Sequence, residues 1–222
     1  LLFVSAKAPV KNEAMLIENL KMGKTVCEAL QKRPVKHVVY ISSDAVYVDS
    51  DSPLSEESYA QPGSLHGIMH LAREVMLTNA WQGPLCLLRP TLIYGTGDPH
   101  NGYGPNRFIR LAKKKEEILL FGEGEERRDH VWIQDVSDLI CRVLSRRSTG
   151  ILNIATGNVV SFREIAEQVT QITPNSSQIK NSPRSGLMPH NGYRAFDPAV
   201  THHAFSDFTY TNLNDGLRKV YG

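Results

Sequence analysis

Residues 37–47 read His37-Val38-Val39-Tyr40-Ile41-Ser42-Ser43-Asp44-Ala45-Val46-Tyr47, a β-branched run that stops at two serines. Such a run predicts a buried strand. Upstream, residues 12–30 carry Met15, Leu16, Leu20, Val26 and Leu30 at helical spacing, and Pro34 ends the pattern. Residues 1–5 are a short apolar run that predicts another strand. Strand, long helix, strand is a βαβ unit and implies a parallel sheet. Ligands of open α/β sheets bind at the carboxyl edge of the strands, where Ser42 and Ser43 fall. Taken alone, the same serines serve equally to satisfy strand-end backbone groups.

Working outward, helical periodicity resumes over residues 64–80, Gly83-Pro84 breaks it, and residues 85–89 predict a third strand. Residues 95–104 hold four glycines and a proline and read as a long loop. Further helices are predicted over 106–115, 134–145, 161–172 and 213–221, the third opened by a capping box of Ser161 and Glu164. Residues 151–155 predict a short strand, and the polar, Pro/Gly-rich stretch 174–197 a surface loop.

The bulk properties exclude several classes. The chain has 222 residues, 41% hydrophobic and 22% charged, an ordinary globular balance. The net charge of +2 favours no nucleic-acid partner, and Lys113-Lys114-Lys115 runs straight into Glu116-Glu117, as a solvated helix face does. No apolar run reaches the ~18 residues of a membrane span, and residues 1–5 lack the basic leader of a signal peptide. Cys27, Cys86 and Cys141 are too far apart for a zinc cluster, so buried, reduced thiols in the cytoplasm are expected.

Several segments together resemble the NAD-dependent epimerase/dehydratase family, the extended short-chain dehydrogenases/reductases. Ser42-Ser43-Asp44-Ala45-Val46-Tyr47 resembles its Ser-Ser-x-x-Val-Tyr strand end, and Asn19 to Thr25 its Asn-x-x-x-Gly-Thr helix. Arg89-Pro90 to Tyr94-Gly95 is similar to its Arg-Pro-x-x-x-Tyr-Gly strand and loop. Gly122-Glu123-Gly124 with Arg128-Asp129-His130-Val131 and Asp135-Val136, then Asn153 to Gly157, and finally Asp215 to Arg218, follow in family order. The resemblance spans nearly the whole chain. It implies an α/β fold, a doubly wound Rossmann-like parallel sheet lacking its first strands, with a smaller C-terminal substrate-binding region. Residues 1–95 and 134–157 would form the dinucleotide-binding remainder, and 96–133 with 158–222 the substrate-binding region.

The sequence departs from the pattern twice. The glycine-rich turn that holds a dinucleotide pyrophosphate at a helix N-terminus is absent. Residues 1–5 match the family's fourth strand, so a fragment short of about seventy residues is expected. The family's Tyr-x-x-x-Lys pair is also replaced: His66 stands at the tyrosine position and His70 at the lysine position, i and i+4 on one helical face.

Three readings of the histidines stand side by side. His66 acts as acid/base, since an imidazole of pKa about 6.5 exchanges protons at neutral pH. The site binds ligand without turnover. Or His66, His70 and Glu74 share a metal, for which the sequence places no further ligand, so no metal is expected. The resemblance implies NAD or NADP as cofactor and a nucleotide sugar as substrate, 4-epimerisation ranking ahead of dehydration because Asp44 is only half of the dehydratase acidic pair. A reductase and a catalytically degenerate binding protein remain alternatives. It assigns catalysis to Ser43, His66 and His70, the cofactor to Ser42, His70, Arg89, Pro90 and Ile93, and the substrate to Asp44, Asn106 and Arg128. A planar guanidinium fork at Arg128 suits a diphosphate; a surface ion-pair cluster is the plainer reading of Glu125 to Asp129. A helix-capping salt bridge stands as an equal reading of Arg89 and a helix N-cap as an equal reading of Asn106, while a surface position is the plainer reading of Asn19, which the family pattern instead places against the active-site lysine region. A homodimer through the helices at 12–30 and 64–80 is implied.

Overall fold

The computed structural model describes residues 1–173 and 177–222. In chain order the elements are β1 (Leu2–Phe3), α1 (Glu13–Lys32), β2 (Val38–Ile41), α2 (Leu65–Ala80), β3 (Leu85–Pro90), β4 (Leu92–Tyr94), α3 (Pro105–Lys114), β5 (Ile118–Phe121), β6 (Arg127–Trp132), α4 (Ile133–Arg146), β7 (Gly150–Ile154), β8 (Val159–Ser161), α5 (Phe162–Ile172), β9 (Ile179–Ser182), β10 (Tyr193–Arg194), α6 (Ala199–Ala204) and α7 (Leu213–Tyr221). The fold is α/β with parallel sheets. The chain divides into two compact units, the first comprising residues 1–48, 54–91 and 138–154, the second residues 49–53, 92–137 and 155–222.

The first unit is built on a four-stranded sheet, order β1-β2-β3-β7, parallel throughout. Val38, Val39 and Tyr40 are fully buried, as a parallel strand covered on both faces requires. Asn12 caps α1 through the Met15 amide, and Ser64 caps α2 through the Gly67 amide. The buried stripe of α1 is Asn19, Gly23, Cys27 and Leu30, and of the apolar residues the spacing favours it includes Leu30 alone. Its cause is α2: a Cβ at Gly23 would stand 3.3 Å from the Arg73 side chain, so glycine lets the two helices close. Asn19 is therefore fully buried, which overturns the surface reading.

Two buried cations tie α2 down. Arg73 donates from Nε and Nη2 to the Asn19 carbonyl (2.9 and 2.7 Å), from Nη2 to Asn19 Oδ1 (3.0 Å) and from Nη1 to the Ser5 carbonyl (2.8 Å). Arg89 on β3 makes a bidentate pair with Glu74 (Nε–Oε1 2.9 Å, Nη2–Oε2 2.6 Å) and stacks on the Tyr47 ring. The Tyr47 hydroxyl in turn donates to Asn153 Oδ1 at 2.7 Å.

The second unit holds a sheet of order β10-β6-β4, with β8 antiparallel to β6, and a separate parallel pair β5-β9. Its core gathers Phe108, Ile109, Ile118, Leu120, Ile165, Val169 and Leu217. The Ser161–Glu164 capping box forms as read, and Lys113 and Lys114 sit in the last turn of α3, where cations favour the helix dipole.

Two sequence expectations are corrected here. The stretch read as a loop contains β9 and β10; a backbone ladder with β5 and β6 overrides its polar composition, while residues 174–176 of it lie outside the described residues. Cys27 and Cys86 are buried, but Cys141 is exposed, because α4 buries Val136, Leu139 and Val143 on the opposite face.

Removing one partner of a buried ion pair strands the other. Glu74→Ala is expected to cost about 3–5 kcal/mol in chemical denaturation. The double variant Glu74→Leu with Arg89→Met should lose markedly less, since no charge is left behind.

Candidate functional site

In the first unit the site starts where β2 ends. Ser42 is buried, its Oγ without a partner. Ser43 opens a single 3-10 turn, Asp44–Val46; its Oγ accepts from the Ala45 amide (3.1 Å) and donates to Asp44 Oδ1 (3.3 Å). The turn lies directly against α2. A Cβ at Gly67 would fall 2.0 Å from the Ala45 carbonyl oxygen, so only glycine at the residue after His66 lets helix and turn meet.

From α2, His66 and His70 meet edge to face with ring centroids 4.7 Å apart. Tyr40, coming up from β2, places its hydroxyl 2.8 Å from His70 Nδ1. The phenol donates to His70 Nδ1 when the imidazole carries its proton on Nε2. Burial, then the charges of His66 and Arg73, push the His70 pKa down to about 3. Burial lowers His66 as well, opposed by the Asp44 carboxylate. Burial also raises Tyr40. Both imidazoles are therefore neutral at pH 7. His66 Nδ1 is buried and unpartnered.

The second unit contains a cluster of guanidinium groups. The buried Arg128 pairs through Nη2 with Glu126 and donates to the Pro189 carbonyl at 2.6 Å and, from Nη1, to the Arg127 carbonyl at 2.8 Å. Arg184 reaches the other oxygen of the same carboxylate at 3.2 Å. One carboxylate thus bridges two arginines. Asp49 takes a second pair, His190 and Arg194, at 2.5 and 3.0 Å. Asn106, the second residue of α3, accepts from the Gly95 amide at 3.0 Å; the helix cap is Gly104, so the capping alternative for Asn106 does not hold.

The sequence-derived residues fall into two groups. Ser42, Ser43, Asp44, His66, His70, Arg89 and Pro90 lie in the first unit, and Ile93, Asn106 and Arg128 in the second. Arg89 is engaged by Glu74 in the middle of α2, a salt bridge but not the helix-capping one weighed beside its cofactor role. That also occupies the carboxylate that a histidine-bound metal would need. No group of three His, Cys, Asp or Glu able to hold a metal ion occurs among the described residues. Arg128 is buried, so its ion pairing is not the surface cluster the charge string suggested. Sequence reasoning missed Arg73, Glu126 and Arg184. Arg73 carries a signal in retrospect, standing between His70 and Glu74 on a helix whose partner presents Asn19. Arg184 carries none.

The model of the NAD dependent epimerase/dehydratase family matches residues 5–155. The chain belongs to that family. Among curated family members, a UDP-N-acetyl-alpha-D-glucosaminuronate decarboxylase of Bacillus cytotoxicus is 28% identical over 200 residues, covering 84% of this chain and 62% of that one. A dTDP-L-rhamnose 4-epimerase of Burkholderia thailandensis is 33% identical over 121 residues, 50% of this chain and 33% of its own length. The chain therefore spans less than two thirds of both. The solved structure of MoeE5 in complex with UDP-glucose and NAD aligns with a TM-score of 0.82 at 24% identity, over 99% of this chain and 77% of that one. The Rossmann-type fold expected from the sequence is thereby shown.

The buried imidazoles give the protein an acid limit. An unfolded imidazole binds a proton below about 6.5, whereas folded His70 refuses one until about pH 3. Unfolding is favoured as pH falls through that window, and stability is complete above it. In urea titrations from pH 7.5 to 4, His70→Gln, which still offers the Tyr40 hydroxyl an acceptor, should flatten the loss. A residual slope should remain from His130, held down to about 4 by burial.

Proposed function

We propose that this chain performs NAD-linked chemistry on a nucleoside-diphosphate sugar, with 4-epimerisation ranked first. The observation that carries the reading is the neutral His66–His70 pair packed against the Ser43 turn at the carboxyl end of β2. Bound nicotinamide would supply the redox chemistry, accepting hydride from a sugar carbon and returning it. Ser42 Oγ and His66 Nδ1 are buried polar atoms without protein partners, as a site completed by a polar ligand presents. His70, with its proton on Nε2, would donate to a ribose hydroxyl, and Ser42, Pro90 and Ile93 would border the cofactor. Arg89 supports them by holding α2.

Ser43 would hydrogen-bond the reacting sugar oxygen. His66, neutral and therefore basic, would remove the hydroxyl proton as hydride leaves and return it afterwards. Asp44 raises the basicity of His66 and would border the sugar. In the second unit Arg128 and Arg184 form a fork suited to a diphosphate, with Asn106 as a further substrate contact. Glu126 occupies that fork and competes with the ligand. NAD is favoured over NADP because the MoeE5 complex carries NAD.

A second reading, a binding protein that has lost turnover, is favoured by one observation. The cation expected at position 70 is gone, and Arg73 spends its charge on the Asn19 and Ser5 carbonyls instead. The exposed apolar residues Ile17, Ile68 and Val75 on α1 and α2 support a homodimer through those helices, to be checked by light scattering. Buried thiols at Cys27 and Cys86 fit a reducing cytoplasm, and no described helix is long and apolar enough to cross a membrane.

With UDP-glucose, UDP-glucuronate and dTDP-sugars as substrates, His66→Ala should lower kcat by about 100-fold or more with little change in KM. The acid limb of kcat/KM should lie below pH 6.5. If wild type binds these ligands but turns none over, and His66→Tyr with His70→Lys restores turnover, the binding-protein reading holds. Glu126→Gln should tighten UDP binding by about tenfold in calorimetry, since a neutral amide no longer competes for the two arginines.

A further inference from the structure

The second unit carries a cavity that the nucleotide-sugar reading does not use. It has a volume of about 370 Å³, within the range of small-molecule sites, and is bounded by β6, β8, α5 and the segment leading into α7. His130 forms one wall. It is 6% exposed, and neither ring nitrogen has a hydrogen-bond partner; the Arg128 backbone beside the ring lacks the geometry for one. Gln168 on α5 forms another wall, and its side-chain oxygen is also buried and unpartnered. Buried polar atoms are satisfied in folded proteins as a rule, so two residues left open on one cavity point to a missing partner.

The chemistry of the walls selects that partner. No Lys, Arg, Asp or Glu lines the cavity. Two of its three hydroxyls are committed as donors to carboxylates behind them, Thr156 Oγ1 to Asp129 at 3.1 Å and Thr211 Oγ1 to Asp135 at 3.0 Å, while Tyr210 accepts from the Ala155 amide at 3.2 Å. Thr156 Oγ1 also accepts from the Asn158 amide at 3.1 Å, so the threonines have no free proton and retain only acceptor capacity, beside the unpartnered Gln168 oxygen. An anion would meet acceptors with carboxylates behind them and lose its hydration without a counter-charge. A cation would find those carboxylates already covered by Thr156, Gly157 and Thr211 donors. A ligand that brings several neutral O–H donors and accepts one bond in return satisfies the walls.

We propose that this cavity is a binding site for an uncharged polyhydroxylated molecule of monosaccharide size, distinct from the arginine fork at Arg128 and Arg184. His130 and Gln168 are its anchoring residues. The neutral imidazole, its pKa lowered to about 4 by burial, offers one donor and one acceptor. His130 also borders a smaller cavity of 190 Å³ that includes Asn106, so the two spaces meet at one ring.

The test is NMR of the full chain, following the Gln168 side-chain amide and the His130 ring during titration with D-glucose, D-galactose or myo-inositol. At least one should bind with a Kd on the order of 1–10 mM and move both signals. Saturating UDP should leave that Kd unchanged, and D-glucose 6-phosphate should not bind there. Gln168→Leu should weaken the interaction about tenfold, the loss of one buried hydrogen bond. Asn158→Ala, at the exposed rim, serves as a second variant if Gln168→Leu loses its fold. Binding by none of the three polyols, competition by UDP, tighter binding of D-glucosamine than of D-glucose, or indifference to both variants would each overturn the proposal.

Discussion

The bidentate contact between Glu74 and Arg89 is the constraint on which the first unit depends. It joins α2 to β3 inside a nearly water-free core, each side chain about 4% exposed. A pair so placed persists only because every polar edge is answered: Arg89 uses Nε and Nη2 on the carboxylate and its face on Tyr47, and Tyr47 passes its proton to Asn153. This chain of contacts sets where α2 lies. α2 in turn carries His66 and His70, so the geometry of the candidate site is inherited from a network that takes no part in its chemistry.

The same helix brings two imidazoles together, at the positions where the sequence resemblance would place a tyrosine and a lysine. A cation sits one turn further on, at Arg73, solvated by the Asn19 and Ser5 carbonyls and by the Asn19 side-chain oxygen. Its charge helps keep His70 neutral beside the Tyr40 hydroxyl. The outcome is a pair of neutral imidazoles. Proton exchange remains possible for such a pair, while electrostatic hold on an electron-rich ligand weakens.

The second unit follows a related rule with a different result. Glu126 lies between Arg128 and Arg184 as an internal anion, closing the fork that the two guanidinium groups form. A buried guanidinium group needs a counter-charge or, as at Arg73, a full set of neutral oxygen acceptors. A carboxylate supplied from the adjacent strand end keeps the arginines ordered and in place, at the cost of competing with whatever binds.

The sequence by itself determined the order and type of the main elements of the first unit and the helices α3, α5 and α7 of the second, but not the strands β4, β5, β6 and β8. Helical spacing, caps at Asn12, Ser64 and Ser161, and the β-branched run at 38–41 act locally, and local chemistry is enough to specify them. It also singled out Ser43, His66 and Arg128 through residues in family order. Only the tertiary structure decided what those residues touch. That Arg89 faces Glu74, that Asn19 is buried against Arg73, that residues 179–182 form a strand, and that Glu126 spans two arginines all depend on partners tens of residues away. Burial turns such long-range proximity into fixed charge states, and no local pattern in the chain records it.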